Sequence, residues 1–334
     1  VVSLSVPLDL IACPQCRGAL DAAAKSPNQP KELGCVRCHA SYPLSEGVLR
    51  LRLPSDARTE AVRAFYSQNP FPGYAPSDDL ATLRARASRS AFARALDNAV
   101  PGDARIVEVG CGTGQMSLFL ANADRVVIGA DLTSASLELG ARASRRFAVR
   151  RAFFVETDLR QPGLREAAFD VVYSSGVLHH TPIPRASFAA LAKLAKPGGV
   201  IVVGLYNLFA RLPHRLRRGL ARITGRVLWD PALRDRRSAP ARREAWLRDQ
   251  YFHPEEHCHT VDEVKCWFRD NGVEFLRTYP NTLFGEDRAD EPDLFSSAED
   301  DWWLENWICQ LTWAVRLAHE GGLFVTIGRR ERST

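Results

Sequence analysis

The 334-residue chain has no apolar run approaching the ~18 residues that a membrane-spanning helix needs. Its first residues also lack the basic-then-apolar layout of a secretory signal. The expected compartment is therefore the cytoplasm, where cysteines stay reduced. Lysine is scarce: Lys25, Lys31, Lys193, Lys196 and Lys265 are the only ones among 44 Lys and Arg. That bias is what GC-rich coding produces and carries little functional weight. The net charge of +5 permits an acidic partner without demanding one. What the composition does contain is ordinary for a globular protein, with 46% hydrophobic and 25% charged residues. The length suits one large α/β domain plus a small module.

The chain is organised around Val107-Glu108-Val109-Gly110-Cys111-Gly112-Thr113-Gly114. An apolar β-branched run precedes it, and Gln115 to Ala121, apolar at Met116, Phe119 and Leu120, reads as a helix. Glycines in a strand–turn–helix let the backbone approach a ligand closely. The dinucleotide pattern G-x-G-x-x-G fails here because position 115 is Gln. Glu108 at the strand end would repel a pyrophosphate but suits a cationic amino-acid ligand. From Arg105 onward strands and helices alternate, which predicts a doubly wound parallel sheet. Strand two, Arg125 to Ala130, ends in Asp131, where a two-acceptor carboxylate can bind a ribose diol. Strand three, Ala152 to Thr157, ends in Asp158-Leu159; a lone strand-end Asp is often just a helix cap. Strand four runs from Phe169 into Val177-Leu178-His179-His180, and Lys196-Pro197-Gly198-Gly199 turns into strand five, Val200 to Leu205. Val273 to Tyr279 and Leu323 to Arg329 read as a closing antiparallel hairpin.

Glu108-x-Gly110-Cys111-Gly112-Thr113-Gly114 resembles the first motif of the class I S-adenosylmethionine (SAM)-dependent methyltransferases. The resemblance implies a seven-stranded Rossmann-like core over 101–334 whose last strand is antiparallel. It implies cofactor contacts from Glu108, Gly110, Cys111, Gly112, Gly114, Asp131, Leu132, Asp158, Leu159 and Ser174. In that family Asp158 would read the adenine amino group, and Leu159 would donate a backbone amide. Methyl transfer is an in-line displacement that needs alignment, exclusion of water and, for some acceptors, a base. His180 and His179, on the exit loop of strand four, are candidates for that base, with Tyr206 and Asn207 facing the same cleft. Alternatively, one His caps the next helix or lines the pocket inertly.

Cys13-Pro14-Gln15-Cys16 and Cys35-Val36-Arg37-Cys38 form a C-x₂-C…C-x₂-C pattern that predicts a structural zinc site. A module of about 50 residues is too small to rely on its own core, so metal would supply much of its stability. Disulfides are disfavoured by a reducing compartment. The c-type haem pattern Cys35-x-x-Cys38-His39 leaves Cys13 and Cys16 unexplained. Leu10 to Cys16, the second cysteine pair and Ser41-Tyr42-Pro43-Leu44-Ser45-Glu46-Gly47-Val48 resemble short bacterial zinc-ribbon proteins. Those are related to the activator subunit of translation-factor and tRNA methyltransferases. The expected division is a zinc ribbon at 1–53, a linker and arm at 54–100, and the core at 101–334. In the arm, Glu60 to Tyr66 reads as a helix; Tyr66, Phe71 and Tyr74 either cover adenosine or substrate or belong to a spacer. Leu80 to Val100 reads as one helix.

Acceptor-side insertions are expected at 208–260 and 281–320. Leu212, Leu216, Leu220, Ile223 and Val227 fall at helical spacing among arginines from Arg211 to Arg226. This basic amphipathic helix either packs with a solvated Arg face, lies on a membrane surface through 211–227, contacts RNA, or lids the site. The absence of interleaved aromatics weakens the RNA reading. His253, Glu256 and His259 are expected to contact the acceptor; His253, His257 and His259 also have metal-ligand chemistry, but their spacing matches no metal motif. Thr260 is expected to cap a helix from Val261 to Asn271. Trp303, Trp307 and Leu311 form a stripe expected to be core or a domain contact, against the ribbon for example. The function expected is methyl transfer from SAM to a small or medium-sized metabolite in a biosynthetic pathway. An rRNA or tRNA methyltransferase is the alternative, and a non-catalytic SAM-binding scaffold a minor one. Against RNA, the chain lacks an N/D-P-P-Y/F motif. The sequence leaves the oligomeric state open.

Overall fold

The computed structural model describes residues 6–22, 32–68, 70, 72–225, 227, 247, 251, 256–282, 293–298, 303–317 and 321–332. Strands β5 (Arg105–Val109), β6 (Val126–Asp131), β7 (Ala152–Glu156), β8 (Phe169–Ser175) and β9 (Ala195–Tyr206) are parallel and mostly buried on both faces, as near-continuous apolar runs should be. The hairpin of β10 (Val273–Tyr279) and β11 (Leu323–Arg330) adds antiparallel strands, β11 lying between β9 and β10. From one edge the order is β7-β6-β5-β8-β9-β11-β10. The order reverses around β5, opening a crevice at the carboxyl ends of β5 and β8.

The amino-terminal segment does not form an independent sheet. Its strands β1 (Leu20–Ala22), β2 (Glu32–Cys35), β3 (Ser41–Ser45) and β4 (Val48–Arg50) continue the same sheet, to 11 strands among the described residues. β4 lies parallel to β7, pairing Val48 with Phe154, Leu49 with Val155 and Arg50 with Glu156. Leu51 then donates its N–H to the Glu156 carbonyl at 2.8 Å. Leu10, Ile11, Leu33 and Tyr42 of this segment share one core cluster with Leu49, Leu51, Phe188 and Trp267.

Helices cover both faces. On one, α2 (Leu80–Ala87), α3 (Ala91–Ala99), α4 (Gln115–Leu120) and α5 (Ser134–Arg146) bury Leu83, Leu96, Leu118 and Leu137. On the other, α6 (Pro184–Ala192), α8 (Val261–Asp270) and α9 (Trp303–Arg316) bury Phe188, Phe268 and Trp313. The single helix expected over 80–100 is broken: Ser90 accepts the Ala93 N–H at 3.3 Å and starts a new helix. The arm helix α1 is longer than expected, Ala57–Gln68, because Asp56 accepts the Thr59 N–H at 2.9 Å and begins it early. Thr260 caps α8 as expected, accepting the Glu263 N–H at 3.2 Å. The tryptophan stripe is a correction: Trp303 and Leu311 on α9 are more than half exposed, Trp307 is partly so, and α9 buries its other face through Asn306, Cys309, Gln310 and Trp313. Among the described residues no helix is long and apolar enough to cross a membrane.

Candidate active site

A cavity of about 410 Å³ opens at the crevice. Its floor is the glycine turn, with Gly110 at φ +74° and Gly112 at φ +54°, a region open to glycine at little cost. A Cβ on Gly110 would lie 2.1 Å from Val177 Cγ2. Asp131 lines one wall. Its carboxylate accepts from Gly112 N at 2.9 Å, Thr133 N at 2.8 Å and Thr133 Oγ1 at 2.6 Å, which fixes its plane. Burial pushes its carboxyl above the usual carboxylate range. Leu132, Asp158 and Leu159 complete that side. Asp158 accepts from Ser55 Oγ at 2.9 Å, Arg160 N at 2.9 Å and an Arg160 guanidinium nitrogen at 2.8 Å. Burial alone would raise the Asp158 carboxyl, but these donors outweigh it and hold it low.

One face of α1 closes the cavity: Thr59, Val62, Arg63 and Tyr66, spaced as successive turns of a helix, all line it. Of the three expected arm aromatics, Tyr66 therefore reaches the cavity. Tyr74 does not line it: its hydroxyl donates to Thr113 O at 2.8 Å, and its ring packs edge-on to Phe147. Phe71 lies outside the described residues. Beside Tyr66, the lining residues Thr59, Val62, Arg63 and Arg160 are not among those the sequence reading names, although the 59, 62, 63, 66 spacing is that of a single helical face.

Several residues expected to touch cofactor instead build the turn from behind and do not line the cavity. Glu108 is buried and accepts a hydrogen bond from Ser117 Oγ; burial pushes its carboxyl up to about 7. Cys111 is buried with its thiol against Gly112 O at 3.6 Å. Gly114 begins α4 at φ +77°, where a Cβ would collide with Phe154 at 2.4 Å. Ser174 donates to Val109 O at 2.9 Å, tying β8 to β5.

At the acceptor end His180 and Tyr206 line the cavity. His179 is fully buried, its ring stacked 4.0 Å from Tyr206 and edge-on at 4.3 Å from His180, so it backs the site rather than facing it. Arg211, read in the sequence as one more surface arginine, is fully buried with its guanidinium carbon 3.9 Å from the Tyr206 ring centre. Glu256 holds that guanidinium at 2.8 and 3.2 Å, so it is a scaffold acid here. Burial alone would raise the Glu256 carboxyl, but Arg211 outweighs it and keeps it low. Asn207 is buried too, donating to Gln310 at 3.0 Å and accepting from Phe209 N and Ala210 N. His259 donates its N–H to Tyr206 O at 2.9 Å, and its ring meets Glu263 at 3.0 Å. Neither Asn207 nor His259 lines the cavity, and His253 lies outside the described residues. His257 and His259 do not join a metal-holding cluster among the described residues.

Residues 107–203 match the family model described as a methyltransferase domain. The glycine floor of the cavity, Asp131 and Asp158 all lie within this match. An uncharacterised protein of Synechococcus sp. is 27% identical over 268 residues, covering 69% of this chain and 64% of its own. An uncharacterised methyltransferase of Mycobacterium tuberculosis is 32% identical over 133 residues, 40% of this chain and 64% of its own. A ubiquinone biosynthesis O-methyltransferase of Idiomarina loihiensis is 37% identical over 106 residues, 31% of this chain and 42% of its own. The chain thus spans less than two thirds of the length of each of these relatives.

Beside the methyltransferase domain, Cys13, Cys16, Cys35 and Cys38 bring four sulfur atoms within 4.8 Å of one another. A tetrahedral zinc ion with bonds of about 2.3 Å sets its sulfurs about 3.8 Å apart. The Cys13–Cys38 and Cys16–Cys35 separations are 3.6 and 3.4 Å. The Tyr42 hydroxyl at 3.0 Å from Cys13 Sγ, and the Arg37 and Cys38 amides at 3.4 and 3.5 Å from Cys35 Sγ, are donors suited to thiolates. The donor set fits zinc.

Proposed function

We propose that this protein transfers a methyl group from SAM to a small or medium-sized acceptor bound against His180 and Tyr206. The observation that carries the reading is the fixed Asp131 carboxylate beside the glycine floor of a cavity that ends at those two side chains. Bound SAM supplies an electrophilic methyl on a sulfonium. Asp131 is suited to accept from the ribose hydroxyls, and the stretch after β7 at Asp158-Leu159 to hold adenine. Tyr66 on α1 covers the cofactor and limits water, while His180 orients the acceptor or takes its proton. A wall that is apolar over most of its surface suits an organic acceptor better than a phosphate backbone. The ubiquinone biosynthesis relative, by its name, acts in the same class of chemistry. The cysteine quartet would hold a zinc ion that stabilises the fold and takes no part in transfer.

Calorimetric titration of the purified chain with SAM tests the cofactor site: Asp131→Ala should weaken binding at least about tenfold, the scale of losing a charged pair of hydrogen bonds. Undiminished affinity would reject it. Tritiated methyl incorporated into total RNA, with none in a small-metabolite extract, would replace the acceptor reading with the RNA one.

A further inference from the structure

We propose that α7 (Leu212–Thr224) docks the protein on the surface of an anionic lipid bilayer. The helix leaves the sheet one short turn after Tyr206 and carries its apolar residues outward. Leu216 is 71% and Ile223 84% exposed, and Leu212 and Leu220 are also exposed. At about 100° per residue these four side chains share an arc of roughly 80°. Arg215 and Arg222, both exposed, flank the arc on one side and Arg217 on the other, and the helix contains no carboxylate. A helix with an apolar face rimmed by arginine lies in the plane of a membrane interface, leucines in the acyl boundary and guanidinium groups among phosphates. A protein partner would need a matching apolar groove ringed by acids, whereas an anionic bilayer supplies both features over any area.

A second helix extends the surface. Phe209, just before α7, meets Trp307 of α9 with ring centres 5.4 Å apart. Next to Trp307, Leu311 and Val315 are exposed, Val315 at 80%. Exposed apolar area of this extent, with tryptophan in it, is uncommon on a surface that faces only water. Because α7 follows Tyr206 so closely, docking would set the acceptor end of the cavity near the lipid surface. The inference does not depend on the reaction catalysed there.

Vesicle co-sedimentation of the full chain tests it, with phosphatidylglycerol in phosphatidylcholine against phosphatidylcholine alone. The expected result is preferential partition to the anionic vesicles, weakened by salt. Leu216→Glu/Ile223→Glu should lower that partition at least about tenfold, and Arg215→Glu/Arg222→Glu should abolish the preference for phosphatidylglycerol. SAM affinity, read in parallel, should stay unchanged in both variants and shows that they fold. Equal partition of wild type and the Leu216→Glu/Ile223→Glu variant would overturn the proposal. So would a wild-type dimer that this variant dissociates in the absence of vesicle binding, since a second copy would then be the occupant.

Discussion

Glu108 is the residue whose position departs furthest from its expected role. It stands behind the glycine turn, bonded to Ser117, with its carboxyl pushed by burial from an ordinary 4.5 to about 7. Below pH 4.5 the group is protonated in folded and unfolded chains alike and costs nothing. Between 4.5 and about 7 the unfolded chain ionises first, so the native state loses ground as pH rises; above 7 the deficit levels at about 3 kcal/mol. Glu108→Gln keeps a partner for Ser117 and removes the titration. Thermal unfolding across that window should therefore show a steeper decline for the wild type than for the variant, and parallel curves would refute the assignment. The glycines, Asp131 and His180 were legible in sequence because strand ends and turns are local features. Arg211 was not, since nothing local separates an arginine beneath Tyr206 from the exposed ones that follow it in α7. Tyr74 misled for the converse reason: an aromatic in an arm can face the cavity or, as here, clasp the outer side of the same turn.

At the scale of elements, the loop after β7 is held from outside the methyltransferase domain. Ala12 donates to Gly163 O at 3.1 Å and Arg165 to Leu10 O at 3.0 Å, while Arg17 donates to Pro162 O and, at 2.7 Å, to Leu164 O. Inside the loop Gly163 N reaches Thr157 Oγ1 at 2.8 Å. The stretch so braced begins with Asp158, Leu159 and Arg160, one wall of the cavity. Arg17 directly follows the first cysteine pair, so the cysteine knuckle aims its guanidinium. Arg17→Ala removes two hydrogen bonds from a charged donor that is over a third exposed, and the expected loss in SAM affinity is about fivefold, near 1 kcal/mol. Calorimetry reads it, with circular dichroism to show the fold unchanged; an unaltered dissociation constant would mean that the loop holds its shape alone. Element boundaries were readable where a cap was present, as at Thr260. They were misread where Ser90 interrupts a continuous apolar period, because periodicity does not register a cap within it.

For the whole molecule, the join between the amino-terminal segment and the core decides whether the protein is two units or one. Sequence suggested a module and a linker, since parallel pairing of β4 with β7 links residues about a hundred positions apart and leaves no local trace. In the structure Glu156 is buried at 5% exposure, and Arg50 at 2.9 Å and Arg52 at 3.4 Å are its charged partners, both from the amino-terminal side. Leu49 and Leu51 are wholly buried against the same edge. A chain beginning at residue 54 would leave Glu156 without either arginine, uncover β7 as an edge strand and open the core beneath Leu49. Losing the burial of Leu49 and Leu51 costs about 1.5–3 kcal/mol each, and losing the half-buried arginine partners and the β4–β7 pairing adds to it, against a total stability of roughly 5–15 kcal/mol. The 54–334 fragment should accordingly be insoluble, or else unfold far below the full chain and lose SAM binding. Expression of both, followed by thermal unfolding and limited proteolysis, distinguishes the cases. A fragment with the melting temperature of the full chain would mean that the shared sheet is only a contact between independently stable parts.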